Sequence, residues 1–223
     1  MRFVDREQAG RLLAERLEPL REGRPVVLGL TRGGMPVAFE VARRLSVPLD
    51  VIVVQKIGAR GPAEMPLGAV AEGGESYLNR TVTGDAGHRQ RDAALADEEV
   101  AELAHRVRLY RGTTPAPKLE GRLVVVVDDF VASGNTARAA SRAARARGAR
   151  RVVLAVPAMA AALEPELGAD FDEIVALETT VPPRAPSDAY ARLDEVPDEV
   201  ALALLRRARV ERAIDEIAPA AIS

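Results

Sequence analysis

Cysteine and tryptophan are absent from this 223-residue chain, histidine occurs twice, and aromatic residues make up only 3%. Without thiols neither a disulfide framework nor a thiolate metal site can form, and His88 and His105 are too few for a histidine-based one. Any metal must be held by oxygens. Lysine is nearly missing too: among 31 basic residues only Lys56 and Lys118 are lysine, and the rest are arginine. A genome-composition or thermal-adaptation bias explains this most simply, yet it makes the two lysines conspicuous. No apolar run approaches membrane-spanning length. The N-terminal stretch MRFVDREQAGRLLAERL is charged and helical in pattern, with no apolar signal core, so a cytoplasmic location is expected. The formal net charge of -2 argues against a wholly basic, polyanion-binding surface, and nucleic acid is not the default partner, although a local basic pocket is allowed.

What is present points to an α/β protein. With 48% hydrophobic residues and no low-complexity tract, the chain suffices for one sizeable domain spanning 1–223 with a small appendage. Asp5 and Gln8 have the form of a capping box, after which Ala9, Leu12, Leu13, Leu17 and Leu20 recur at helical spacing. Val26 to Leu30 has strand length, Thr31-Arg32-Gly33-Gly34 interrupts it, and Val37, Ala38, Val41, Ala42 and Leu45 resume a helical period. Leu49 to Val54 then reads as a second buried strand, completing a βαβ unit. Residues 55–74 (QKIGARGPAEMPLGAVAEGG) are dense in Gly, Pro and Ala and read as a long mobile loop or a ribbon. Residues 89–111 form the longest helical pattern, acids first and arginines last as a helix dipole prefers, with Gly112 as its stop. Strands at Arg151 to Val156 and Ile174 to Leu177, a short helix over 160–167 and a last helix after Pro197 complete an alternation that predicts an open parallel sheet covered by helices on both faces. The arginine-rich last helix suits a homodimer.

The most informative stretch is Leu123 to Thr136, LVVVVDDFVASGNT. A run of β-branched residues ends in two carboxylates, and a small-residue turn opens the next helix. At the carboxyl end of a buried strand, Asp128 and Asp129 point to opposite sides, where they can accept hydrogen bonds from vicinal hydroxyls or face a ligand-bound cation. In Ala132-Ser133-Gly134-Asn135-Thr136 the backbone can curl closely around a ligand. Its N–H groups, at the positive end of a helix, suit a phosphate monoester. Isolated, these features would be an ordinary helix cap beside two solvent-facing acids; their order makes that reading the lesser one.

This stretch resembles the phosphoribosyl pyrophosphate (PRPP) binding motif of the type I phosphoribosyltransferases. The resemblance implies that Asp128 and Asp129 engage the ribose hydroxyls and that residues 132–136 cradle the 5'-phosphate. Thr31-Arg32-Gly33-Gly34 sits where the family places its pyrophosphate loop, and 55–74 where it has its flexible catalytic loop. Residues 25–180 are then the common core, and 181–215 a C-terminal hood and helix. QKIGARGPAEMPLGAV with the Tyr190 to Leu205 tail is similar to bacterial members of unassigned acceptor. The implied chemistry is phosphoribosyl transfer from PRPP to a nitrogenous acceptor, a nucleobase by default, with release of pyrophosphate. Mg²⁺ would be bound mainly through PRPP, helped by Asp128 and Asp129, with no dedicated protein site. Asp128, Asp129, Arg32 and Lys56 are the candidate catalytic residues, and Thr31, Arg32, Gly33, Gly34 and Lys56 the pyrophosphate subsite.

Departures from the family pattern bear on the acceptor. Ala132 stands where 6-oxopurine enzymes carry an acid, which argues against that substrate class. Phe130 replaces an aliphatic residue and either faces the acceptor or fills core. Gln55 replaces a basic residue, Arg60 lies in the loop without an assignable role, and Glu64 either assists the acceptor or is a solvated loop acid. Phe130 and Tyr190 are the acceptor-pocket candidates. The alternative is a non-catalytic PRPP or nucleotide sensor that regulates a nucleic-acid or protein partner. Arg32-Gly33-Gly34 and Lys56 favour catalysis, since a sensor of nucleotide alone needs no pyrophosphate subsite.

Overall fold

A computed structural model describes residues 2–58, 66–79, 89–112, 114–181 and 185–217, with backbone only for 89–98 and 215–217. In chain order the elements are α1 (Arg6–Leu17), a 3-10 turn (Glu18–Gly23), β1 (Val26–Leu30), α2 (Gly34–Leu45), β2 (Leu49–Ile52), β3 (Val54–Ile57), β4 (Gly68–Ala71), β5 (Ser76–Leu78), α3 (Arg89–Arg111), β6 (Leu123–Val127), α4 (Asn135–Ala146), β7 (Arg151–Ala160), α5 (Leu163–Leu167), β8 (Glu173–Thr180), α6 (Pro186–Ala189) and α7 (Asp198–Ile217).

Five strands form the parallel sheet, in the order β2-β1-β6-β7-β8. The reversal in strand order falls where β1 and β6 lie side by side, in register from Val26 against Val124 to Gly29 against Val127. Such a reversal opens a crevice at the carboxyl edge of the sheet. Alternate residues of each strand feed opposite faces. Val27, Val51, Val125 and Val153 pack with α1, α2 and Leu205 of α7, whereas Leu28, Ile52, Val126 and Leu154 pack against the alanines of α4. Ala137, Ala140, Ala143 and Ala144 are all buried, and their small side chains let this helix lie close to the sheet. Asp5 caps α1 by accepting the Gln8 N–H at 2.8 Å, as the capping pattern predicts.

Several sequence expectations need correction. The apolar run from Leu49 to Val54 is not one strand: it leaves the main sheet after Ile52, and Val54–Ile57 turns into a separate antiparallel sheet, β3-β4-β5. The two ends of segment 55–74 therefore form the ribbon alternative, Lys56 facing Ala69 across it. Residues 59–65, with Arg60 and Glu64, lie outside the described residues. β7 continues past Val156 to Ala160, and β8 spans Glu173–Thr180, both longer than their apolar cores. On α4, Arg138 is buried despite its charge: it pairs with Asp170 at 3.2 Å and lies over the Tyr77 ring.

A buried ion cluster ties the ribbon to the sheet. The Arg111 guanidinium lies 2.6 Å from Asp50 of β2 and 2.6 Å from Glu72 after β4, and it donates to the Val51 carbonyl at 2.7 Å. Arg147 reaches the same Glu72 at 2.9 Å. All three members of the central triad are below a tenth exposed, so removing one partner strands charge in the interior. Arg111→Met should therefore lower unfolding stability by about 3 kcal/mol or more, measured by urea denaturation.

Candidate functional site

The site grows from the carboxyl ends of β1 and β6. After β1 the chain turns through Thr31, Arg32 and Gly33 into α2, with the Thr31–Arg32 peptide bond cis. The two glycines of this turn lie against the acid pair that follows β6. A Cβ on Gly33 would stand 2.4 Å from Asp129 Oδ2, and one on Gly34 would stand 2.6 Å from the Val127 carbonyl oxygen and 3.0 Å from Asp128 Cα. Close approach, and not only backbone N–H supply, is what Gly33-Gly34 provides. Gly134 has φ +74° before α4, and a Cβ there would meet the Leu167 side chain at 2.9 Å.

Around these turns lies a cleft of about 520 Å³. Lining it are Thr31, Arg32 and Gly33 from the β1 turn, Lys56 and Gln55 from β3, Asp128, Asp129 and Phe130, and Ala132, Ser133, Gly134 and Thr136. The residues singled out in the sequence are thus brought to one cavity with few exceptions. Asn135 is fully buried; its side-chain NH₂ donates to the Pro66 carbonyl at 3.0 Å, so it joins the turn to the start of β4 instead of facing the cleft. Gly34 is buried beneath the acid pair. Tyr190 is 1% exposed and lies below the site, where its hydroxyl donates to the Asp129 carbonyl at 2.7 Å. Its ring meets Phe3 with centroids 5.7 Å apart, so the aromatic residue expected at the acceptor supports the acid pair from below. Phe130 lines the cleft while packing into the same small cluster as Phe3 and Tyr190.

Three lining residues are not legible as site residues in the linear pattern: Arg6, Arg106 and Glu195. Arg6 grips Asp129 through Nε and Nη2, each 2.7 Å from Oδ2, and its Nη1 donates to the Asp194 carbonyl at 2.6 Å. One signal was available: Arg6 occupies the first turn of α1, where the helix dipole favours an acid. Glu195 sits 3.3 Å from Arg32, and Asp198 accepts from Tyr110 and lies 3.7 Å from Arg106. The segment after α6 thus places carboxylates on two of the cleft's arginines. Lys56 is exposed and makes no hydrogen bond or ion pair among the described residues.

Burial and the neighbouring charge of Asp129 push the Asp128 carboxyl well above the usual carboxylate range, although Lys56 pulls the other way. The Asp129 backbone N–H donates to Asp128 Oδ1 at 2.9 Å. Four cations (Arg6, Arg32, Lys56 and Arg106) and three carboxylates (Asp128, Asp129 and Glu195) line the cleft among the described residues. A polyanion carrying hydroxyl donors matches that balance.

Comparison with known proteins agrees with this geometry. Residues 6–181 match the phosphoribosyl transferase domain family. Two Mycobacterium tuberculosis proteins, from strains CDC 1551 and H37Rv and each named "Putative phosphoribosyl transferase", are 41% identical over 210 residues, 92% of this chain and 47% of theirs. The chain spans about half the length of these curated relatives. The crystal structure of TT1426 from Thermus thermophilus superposes with a TM-score of 0.78 at 43% identity, covering 93% of this chain and 99% of that one. The chain belongs to the phosphoribosyltransferase family, with the parallel sheet and flanking helices that the resemblance of its central stretch implied.

The raised Asp128 carboxyl has a measurable consequence. The unfolded chain releases this proton at about pH 4, whereas the folded protein holds it to higher pH, so ionisation of Asp128 costs stability as pH rises through the folded value. Asp128→Asn should melt at a higher temperature than the parent at pH 7.5, and the gain should shrink as the pH is lowered towards 4, as read by calorimetry without ligand.

Proposed function

We propose that this protein transfers the 5-phosphoribosyl group of PRPP to a nitrogenous acceptor, a nucleobase in the first instance, and releases pyrophosphate. The observation that carries this reading is the convergence, in one cleft, of the acid pair, the small-residue turn, Arg32 and Lys56. In this reading Asp128 and Asp129 accept hydrogen bonds from the ribose hydroxyls, and N–H groups of the 132–136 turn, at the start of α4, hold the 5'-phosphate. The bond from the anomeric carbon to a pyrophosphate oxygen breaks through an oxocarbenium-like transition state, the bond to the acceptor nitrogen forms, and that nitrogen's proton passes to the released pyrophosphate or to water. Arg32 and Lys56 stabilise the charge that builds on the departing diphosphate, which is the main catalytic contribution available from these side chains.

The donor set suits Mg²⁺. No group of three metal-ligating side chains occurs among the described residues, and the acid pair offers oxygens alone at the cleft wall. A hard, oxygen-seeking cation carried mainly by the substrate would fit such a partial site. When bound it would neutralise diphosphate charge, with Asp128 and Asp129 as its protein-side neighbours.

Pyrophosphate release from PRPP with Mg²⁺ across a panel of purines, pyrimidines and other amines tests the proposal. Acceptor-dependent release that is lost in the Asp128→Asn/Asp129→Asn double variant is expected. Tight PRPP binding with no turnover on any acceptor would favour the sensor, and absence of PRPP binding would remove both readings. A second expectation concerns Arg32, which has to leave Glu195 to take diphosphate. The pair is exposed, so Glu195→Gln should tighten inorganic pyrophosphate binding by only roughly two- to fivefold, measured by titration calorimetry.

A further inference from the structure

We propose that Arg6 is a positioning residue for phosphoribosyl transfer, acting through Asp129. The inference rests on the PRPP reading above and adds a residue from outside the central stretch. Arg6 Nε and Nη2 converge on Oδ2 of Asp129, each at 2.7 Å, and both side chains are about one-seventh exposed, 14% and 15%. Oδ1 is left outside that grip. From below, the Tyr190 hydroxyl fixes the Asp129 carbonyl at 2.7 Å, and the Arg6 guanidinium lies 5.9 Å from the Tyr190 ring centroid. From the side, Gly33 brings its Cα so close that a Cβ would enter the carboxylate. Asp129 is thus held on three sides, and its side chain has little freedom left to lose when a ligand binds.

The arrangement also gives each acid a cation of its own. Two adjacent carboxylates at a partly buried edge oppose each other's ionisation. Arg6 faces Asp129, whereas Lys56, across the cleft, acts on Asp128. Arg6 therefore gives Asp129 its own counter-charge and fixes its side chain as an acceptor for a ribose hydroxyl. Charge-assisted hydrogen bonds of this kind are short and directional, and the two-pronged donor geometry is one lysine cannot reproduce.

The test compares two ligands by titration calorimetry, PRPP with Mg²⁺ and inorganic pyrophosphate with Mg²⁺, on the full chain and on Arg6→Met and Arg6→Lys. Pyrophosphate is read by Arg32 and Lys56 and has no ribose, so it reports whether the rest of the cleft survives. Arg6→Met is expected to weaken PRPP by roughly ten- to a hundredfold while changing pyrophosphate affinity by less than about twofold, and Arg6→Lys should recover part of the loss. An Arg6→Met protein that binds PRPP as the parent does, or that loses pyrophosphate to the same extent, overturns the inference while leaving PRPP recognition intact. A parent protein that does not bind PRPP overturns the underlying reading and this inference with it.

Discussion

The site depends on one steric condition: the Gly33-Gly34 turn has to lie in contact with the acid pair. β1 and β6 are adjacent and in register, so the segments leaving them start side by side, and a Cβ at either glycine would collide with Asp129 or with the backbone at Val127. Because of that contact, a cation on the β1 turn and two carboxylates on the β6 turn share one small volume. It is the topological reversal of an open α/β sheet that makes such a volume available.

Into that volume the protein places more cationic groups than it neutralises. Arg6 is committed to Asp129 and Arg32 partly to Glu195, whereas Lys56 has no partner among the described residues. Burial of Asp128 costs stability in the ligand-free protein, which is the expected sign for a group kept for binding. The buried cluster of Arg111, Asp50 and Glu72 differs in kind: its charges are mutually satisfied, it lies away from the cleft lining, and it fastens the ribbon bearing Lys56 to the main sheet.

Both terminal regions close over the same corner. Phe3 bridges Tyr190 in parallel fashion, its N–H donating to the Ala189 carbonyl at 2.8 Å and its carbonyl accepting from Ala191 at 2.7 Å. That bridge sets the start of α1, and hence Arg6, beside Asp129. Val196 is buried against the sheet-facing core, which in turn holds Glu195 and Asp198 over the arginines.

Local pattern determined a large part of this. Strand period, helix period and turn chemistry are short-range properties, so β1, α2 and β6, the acid pair and the small-residue turn that opens α4 could be read from VVLGL, from TRGG with the helical period after it, and from LVVVVDDFVASGNT. The corrections concern groups whose surroundings come from far along the chain. Tyr190 became a support for Asp129 because Phe3 packs on it, and Asn135 turned towards Pro66 because β4 lies there. Arg138 is buried because Tyr77 and Asp170 lie beside it. Arg6 and Asp129 stand 123 residues apart, and no periodicity links them. Sequence by itself determined which kinds of group the site contains, because residue type and local conformation are encoded side by side. Only the tertiary structure decided which of them are paired, buried or held in place, because those properties belong to neighbours that folding alone brings together.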